Sequence, residues 1–175
     1  MKSLRKEILC IALMIPVVLQ AATVNLATVS GTAVSTSFVS SWENLSAVND
    51  GYTPASSTDK THTIYENWNG ESDYGIYNWV EYEWPFAHKV SSISVYWFTD
   101  YGGIAQPTDA YIEYWDGLAW INAGKIGTIL NTFNTLTATV SASKVRIKMK
   151  STTSTGIVEL RVMGVQTTSC DATPL

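Results

Sequence analysis

Two stretches decide how this chain folds: NWVEYEW at residues 78–84 and VSSISVYWF at residues 90–98. In the first, Val80, Tyr82 and Trp84 alternate with Glu81 and Glu83. In the second, Ile93, Val95 and Trp97 alternate with Ser92, Ser94 and Tyr96. Successive side chains of an extended chain point to opposite faces, so each stretch reads as a strand with one face on a core and one toward water. Further β-branched and aromatic runs lie near 23–29, 33–39, 110–114, 119–123, 132–140, 144–150 and 157–163, separated by Gly, Pro, Asn, Asp and Ser clusters. Helical periodicity is nearly absent beyond the N-terminus. Asp116-Gly117, between Tyr114 and Trp120, predicts a type I′ hairpin, whose two central positions both need positive φ. Short strands joined by turns predict an all-β fold, a jelly-roll β-sandwich of two packed sheets. The segment 44–77 carries no convincing strand, and loops that long in compact domains are usually functional.

The N-terminus predicts export. Lys2, Arg5 and Lys6 precede an apolar run over 8–19, and Ala21 and Ala22 close it, in the order of a secretory signal peptide cleaved near Ala22. The apolar run is shorter than the roughly 20 residues that span a bilayer, and Pro16 interrupts it, so no membrane insertion is expected. Removing 1–22 leaves 153 residues: one sandwich domain over 23–165 and a polar tail over 166–175. That remainder holds 8 Lys and Arg against 14 Asp and Glu, a net charge of −6. Such a balance gives no electrostatic footprint for nucleic acid or anionic lipid. Cys10 leaves with the signal, and Cys170 alone forms no internal disulfide.

Catalytic constellations are missing from the sequence. It has no Gly-x-Ser-x-Gly elbow, no phosphate-cradling glycine loop and no His-Glu-x-x-His, and its histidines are His62 and His88. Glu81 and Glu83 could mimic a glycosidase pair, but their positions on an alternating strand read as a solvated outer face. A non-enzymatic protein is expected. Aromatic residues are the excess: all 20 Trp, Tyr and Phe follow residue 22. Tyr82, Trp84, Trp97, Tyr111 and Trp120 sit in strand patterns and are expected in the core. Trp42, Tyr52, Trp68, Tyr74 and Tyr101 sit in polar loops. There a ring either tucks under its own loop or stacks on the apolar face of a sugar while nearby Asn, Asp and Glu bond its hydroxyls.

The order Asn49-Asp50-Gly51, Trp79-Val80-Glu81-Tyr82, Pro107, Tyr111-Ile112-Glu113-Tyr114, Asp116-Gly117 and Trp120 resembles the discoidin (coagulation factor 5/8 type C) family. Lys144-Val145-Arg146-Ile147 and Gly156-Ile157-Val158-Glu159-Leu160 continue the likeness, which covers 33–164. The bacterial members it is most similar to are carbohydrate-binding modules of family 32 type, often appended to glycoside hydrolases. The resemblance implies a galactose-binding-like jelly roll, a carbohydrate partner and a structural calcium, with Asp50 and Glu159 matching the family's metal-binding carboxylates. Two carboxylates with loop carbonyls and water can supply calcium's six to eight oxygens. The segment after Gly51 is longer than the family's acid-x-x-Thr-x-Trp continuation, so the resemblance does not place the threonine ligand. The resemblance also implies sugar-binding loops at one end of the sandwich, over 40–49, 66–77 and 100–107. These hold Trp42, Trp68, Tyr74 and Tyr101 as carbohydrate-binding candidates. A rival reading is an adhesion or protein-binding discoidin-type domain using apolar spikes such as Phe98. Others are an accessory fragment of a larger glycoside hydrolase, or a small lyase or hydrolase.

Overall fold

The computed structural model describes residues 21–69 and 76–167. The expected export signal at 1–22 falls almost wholly outside them, as do Tyr74 and Cys170. Eight strands follow in order: β1 (Thr23–Asn25), β2 (Ala33–Thr36), β3 (Tyr65–Glu66), β4 (Asn78–Phe98), β5 (Asp109–Trp115), β6 (Trp120–Lys125), β7 (Phe133–Lys150) and β8 (Gly156–Val165). Short 3-10 turns occupy Leu26–Thr28 and Leu45–Asn49.

The two sandwich layers share their long strands. The first half of β4 pairs with β2 and with the second half of β7, which continues to β5 and β6. The second half of β4 lies between β8 and the first half of β7, and β1 and β3 add to β8. Thus 78–84 and 90–98, expected as separate strands, form one strand that turns the corner between layers; 132–140 and 144–150 join in the same way. The ladder breaks between Glu83 and His88, and Pro85 stands in the break. Proline donates no hydrogen bond and tolerates a gap in the ladder, so it marks the bend rather than a strand end.

The layers close on one core. Val80, Tyr82 and Trp84 from one half of β4 pack with Ile93, Val95 and Trp97 from the other, and with Ile112, Ile147, Met149, Leu160 and Val162. Burying each such side chain contributes about 1.5–3 kcal/mol. The Trp84 indole N–H donates to the Leu26 carbonyl at 2.9 Å and that of Trp97 to Gly127 at 2.9 Å, so neither ring buries an unpaired donor.

Several expectations need correction. Tyr96 and Phe98 do not face water: with Ile64, Ile104 and Val158 they form a second buried cluster beneath the loops of one end. Phe98 is fully buried, so it offers no adhesive spike. Tyr111 and Trp120 are half-buried on the outer sheet face, outside the core cluster. Trp120 meets Trp115 edge-on at 5.6 Å and has the Arg146 guanidinium 3.9 Å from its ring centre. Glu81 is largely covered beside Lys144 and Arg146 rather than solvated, and burial raises its carboxyl above the ordinary range. The hairpin after Trp115 is a four-residue loop in which Gly117 has positive φ and Asp116 does not. The Asp116 carboxylate closes it by accepting the Leu118 and Ala119 N–H groups, each at 2.8 Å.

Candidate functional site

A cleft of about 390 Å³ opens over the second cluster, lined by Trp42, Glu43, Lys60, Glu66, Trp68, Asp100, Gly103 and Ile104. Its volume lies within the roughly 300–1,000 Å³ of small-ligand sites. Residues from 42–43, 60, 66–68 and 100–104 build it, and hydrogen bonds pin three of these segments. Ser40 donates its N–H to the Glu66 carbonyl at 2.9 Å, and its Oγ lies 2.8 Å from the Trp68 carbonyl. These contacts hold the Trp42 loop against β3. Asn67 then locks β3 to the start of β8: its Nδ2 donates to Thr155 Oγ1 at 2.9 Å, and its Oδ1 accepts from Thr155 N at 2.7 Å. In the third segment Asp100 Oδ1 accepts from Gly102 N at 2.7 Å and Ile104 N at 2.9 Å, which curls that loop under the cleft.

Trp42 is 62% exposed, and Trp68 is half-buried with one side on the second cluster. The structure therefore brings both predicted tryptophans to one cleft. Tyr101 stands 75% exposed at φ 57° on the same loop as Asp100 and Gly103, but it does not line the cleft. The polar lining is a finding of the structure, although two of its acids adjoin the tryptophans as Trp42-Glu43 and Glu66-Asn67-Trp68. Glu43, Glu66 and Asp100 face a single cation, Lys60. Burial, then the charge of Glu43, pushes the Glu66 carboxyl up to about 7, against hydrogen bonding from Trp42 and the charge of Lys60. Burial likewise raises Glu43. The cleft thus offers apolar rings beside acceptors, the composition that holds a sugar's face and its hydroxyls.

Asp50 and Glu159, the predicted metal ligands, meet on either side of Gly51. Glu159 Oε2 accepts the Gly51 N–H at 3.2 Å, and Asp50 Oδ1 accepts the Tyr52 N–H at 2.9 Å. Asp50 Oδ2 lies 2.7 Å from His62 Nε2, and Glu159 Oε1 lies 3.4 Å from Arg161 Nε. Glu159 is fully buried, and burial raises its carboxyl to about 7. Among the described residues no group of three or more His, Cys, Asp and Glu side chains is placed to hold a metal. A cation here would rest on these two carboxylates and on main-chain oxygens. A fully buried carboxylate with one long basic contact is a donor that suits a hard cation such as calcium.

No family model and no curated protein matches the sequence. Solved structures do match in shape. The family 32 carbohydrate-binding module of C. perfringens NanJ, in complex with galactose, superimposes with a TM-score of 0.59 at 20% identity, over 77% of this chain and 94% of that one. A structure from the Streptococcus pneumoniae β-galactosidase BgaA gives 0.63 at 17% identity, over 82% and 98%. A family 89 glycoside hydrolase from Clostridium perfringens gives 0.58 at 18%, over 82% of this chain but 15% of that one. The chain has the jelly-roll β-sandwich fold of these structures.

Proposed function

We propose that the chain is an exported, non-catalytic carbohydrate-binding module that takes a glycan in the cleft between Trp42 and Trp68. The observation that carries this reading is the pairing of those rings with Glu43, Glu66 and Asp100 over one opening. A ring stacks on the apolar face of a pyranose while carboxylates accept from its hydroxyls. The charge sets an order of preference. With three carboxylates against one lysine, the cleft favours neutral and amino sugars and repels uronates. The likeness to modules solved with galactose or as parts of glycoside hydrolases supports both the glycan and the association with such an enzyme. Among the described residues no helix is long and apolar enough to cross a membrane. Calcium at Asp50 and Glu159 completes the proposal, holding the 3-10 turn Leu45–Asn49, next to the Trp42 loop, against β8.

A glycan array on the chain without residues 1–22, followed by calorimetric titration of the best ligand, tests the reading. Binding that survives in a Trp42→Ala, Trp68→Ala double variant would move the site elsewhere. Release of reducing sugar that Glu66→Gln abolishes would make the chain an enzyme.

A further inference from the structure

The outer face of the β2–β4–β7–β5–β6 layer divides into two unlike halves. Along β7 the side chains of Lys144, Arg146, Lys148 and Lys150 share this face, alternating with buried Val145, Ile147 and Met149. Toward the corner the cations are matched: Lys144 pairs with Glu83 at 3.0 Å and Arg146 with Glu113 at 2.6 Å. Toward the other end the matching is weaker. Among the described residues no carboxylate forms an ion pair with Lys148 or Lys150. Asp109 stands opposite Lys150 in the ladder and feels its charge, but its hydrogen bonds go to Tyr77 Oη at 2.5 Å and Lys125 Nζ at 2.9 Å.

Rings surround these two ammonium groups instead. Lys148 lies in register between Trp79 on β4 and Tyr111 on β5. Its Nζ is 5.4 Å from the Tyr111 ring centre and 5.6 Å from that of Tyr77; Lys150 Nζ is 4.8 Å from Tyr77. Tyr77 and Tyr111 meet edge-on at 5.2 Å, and the bond to Asp109 fixes the Tyr77 ring. All five side chains are half-buried, so each keeps a solvent-facing part.

We infer that Tyr77, Trp79, Tyr111, Lys148 and Lys150 form a second binding surface, for an oligosaccharide carrying isolated acid groups, uronate or sulfate. The charge argues for this occupant in an otherwise acidic chain. Two ammonium groups that form no ion pair with a described carboxylate, set beside rings, match one or two anions held between apolar sugar faces. A long polyanion such as nucleic acid would run past these two cations onto Lys144 and Arg146, whose charges Glu83 and Glu113 already balance, and would gain little there. The surface is independent of the Trp42 cleft, whose carboxylates disfavour these ligands.

The test is calorimetric titration of trigalacturonate, a 6-sulfated galactose disaccharide and neutral galactotriose into the wild type. The same titrations are run on Lys148→Gln/Lys150→Gln, Tyr111→Ala and Trp42→Ala variants, each with a melting curve. Either acidic ligand should bind, weaken by tenfold or more in the double-lysine variant at unchanged Tm, and keep its affinity in Trp42→Ala. The arm that binds tells uronate from sulfate. Absence of binding by both acidic ligands would overturn the surface. So would affinity unmoved by the lysine substitutions, or lost with Trp42. Galactotriose reports on the cleft alone, so failure there leaves this surface standing.

Discussion

The Trp68 ring closes on the backbone of Gly103: a β-carbon added at Gly103 would sit 3.7 Å from Trp68 Cε3. That is ordinary contact distance, so the wall of the cleft is built where a glycine leaves room for an indole. One added methyl group fits there, but a branched side chain must displace either the ring or the ligand.

Gly103→Val should therefore weaken glycan binding by about tenfold or more, the equivalent of about 1.4 kcal/mol. Gly103→Ala should bind nearly as the wild type does. Calorimetry on both variants decides it, and affinity unchanged in both would show that the ligand does not reach this wall.

The two tryptophans should behave differently when removed. Trp42 is mostly exposed, so Trp42→Ala should change stability by no more than about 0.5 kcal/mol while weakening binding roughly tenfold. Trp68 packs against the buried cluster of Ile64, Tyr96, Phe98, Ile104 and Val158, so Trp68→Ala should lower stability as well as affinity. Loss of a partly buried ring gives up about 25 cal/mol for each Å² of apolar contact. Paired melting and titration curves check both outcomes. A Trp42→Ala variant that unfolds readily would place that ring in the fold rather than the site.

The contrast between these rings shows what the sequence could carry. The alternation in 78–84 and 90–98 marked Tyr82, Trp84 and Trp97 as core because long-range packing needs one apolar face. Alternation tells which residues share a face, but not which face is inward. Tyr111 shares its face with Glu113, while Ala110, Ile112 and Tyr114 pack inward, so the acid was the clue to an outer position. The bend of β4 was hidden because Pro85 looks the same whether it ends a strand or turns one. The cleft itself was half legible. Polar loops betrayed Trp42 and Trp68, but their meeting depends on Ser40 bonding the carbonyls of Glu66 and Trp68. A buried serine leaves no periodic trace. Lys60 and Asp100 come from further loops, and nothing local ties them to either tryptophan.

Glu66 predicts a pH dependence of stability. Its carboxyl ordinarily titrates near 4.5 and is pushed up to about 7 in the fold, chiefly by burial. The folded state therefore holds this proton more tightly than the unfolded chain does. The resulting stability is full below about pH 4.5 and is lost as pH rises through about 7. Glu66→Gln carries no titrating proton, so its stability should fall less between pH 5 and pH 8. The difference should be on the order of 2 kcal/mol, because a proton held tenfold more tightly by the folded state is worth about 1.4 kcal/mol. Denaturant midpoints of both proteins at the two pH values measure it, and parallel curves would show that Glu66 titrates normally.

Calcium at Asp50 and Glu159 makes the last prediction. Glu159 is fully buried, and its contact with Arg161 at 3.4 Å is long for a strong charge-assisted bond. A divalent cation bridging Glu159 to Asp50 would offset the cost of that burial. A ligand bound only by the native state stabilises it by mass action, by about 2.7 kcal/mol at a hundredfold excess over Kd. Chelation should then lower Tm by several degrees, since about 1 kcal/mol shifts a domain of this size by roughly 2–4 °C. Asp50→Asn should melt lower in calcium and respond little to chelator. Because His62 also contacts Asp50, loss of stability alone would not identify the ion, and the response to chelator is the deciding readout. His62→Ala serves as the control: it removes the neighbour and leaves both carboxylates, so its response to chelator should persist. Identical wild-type melting curves with calcium and with chelator would overturn the ion.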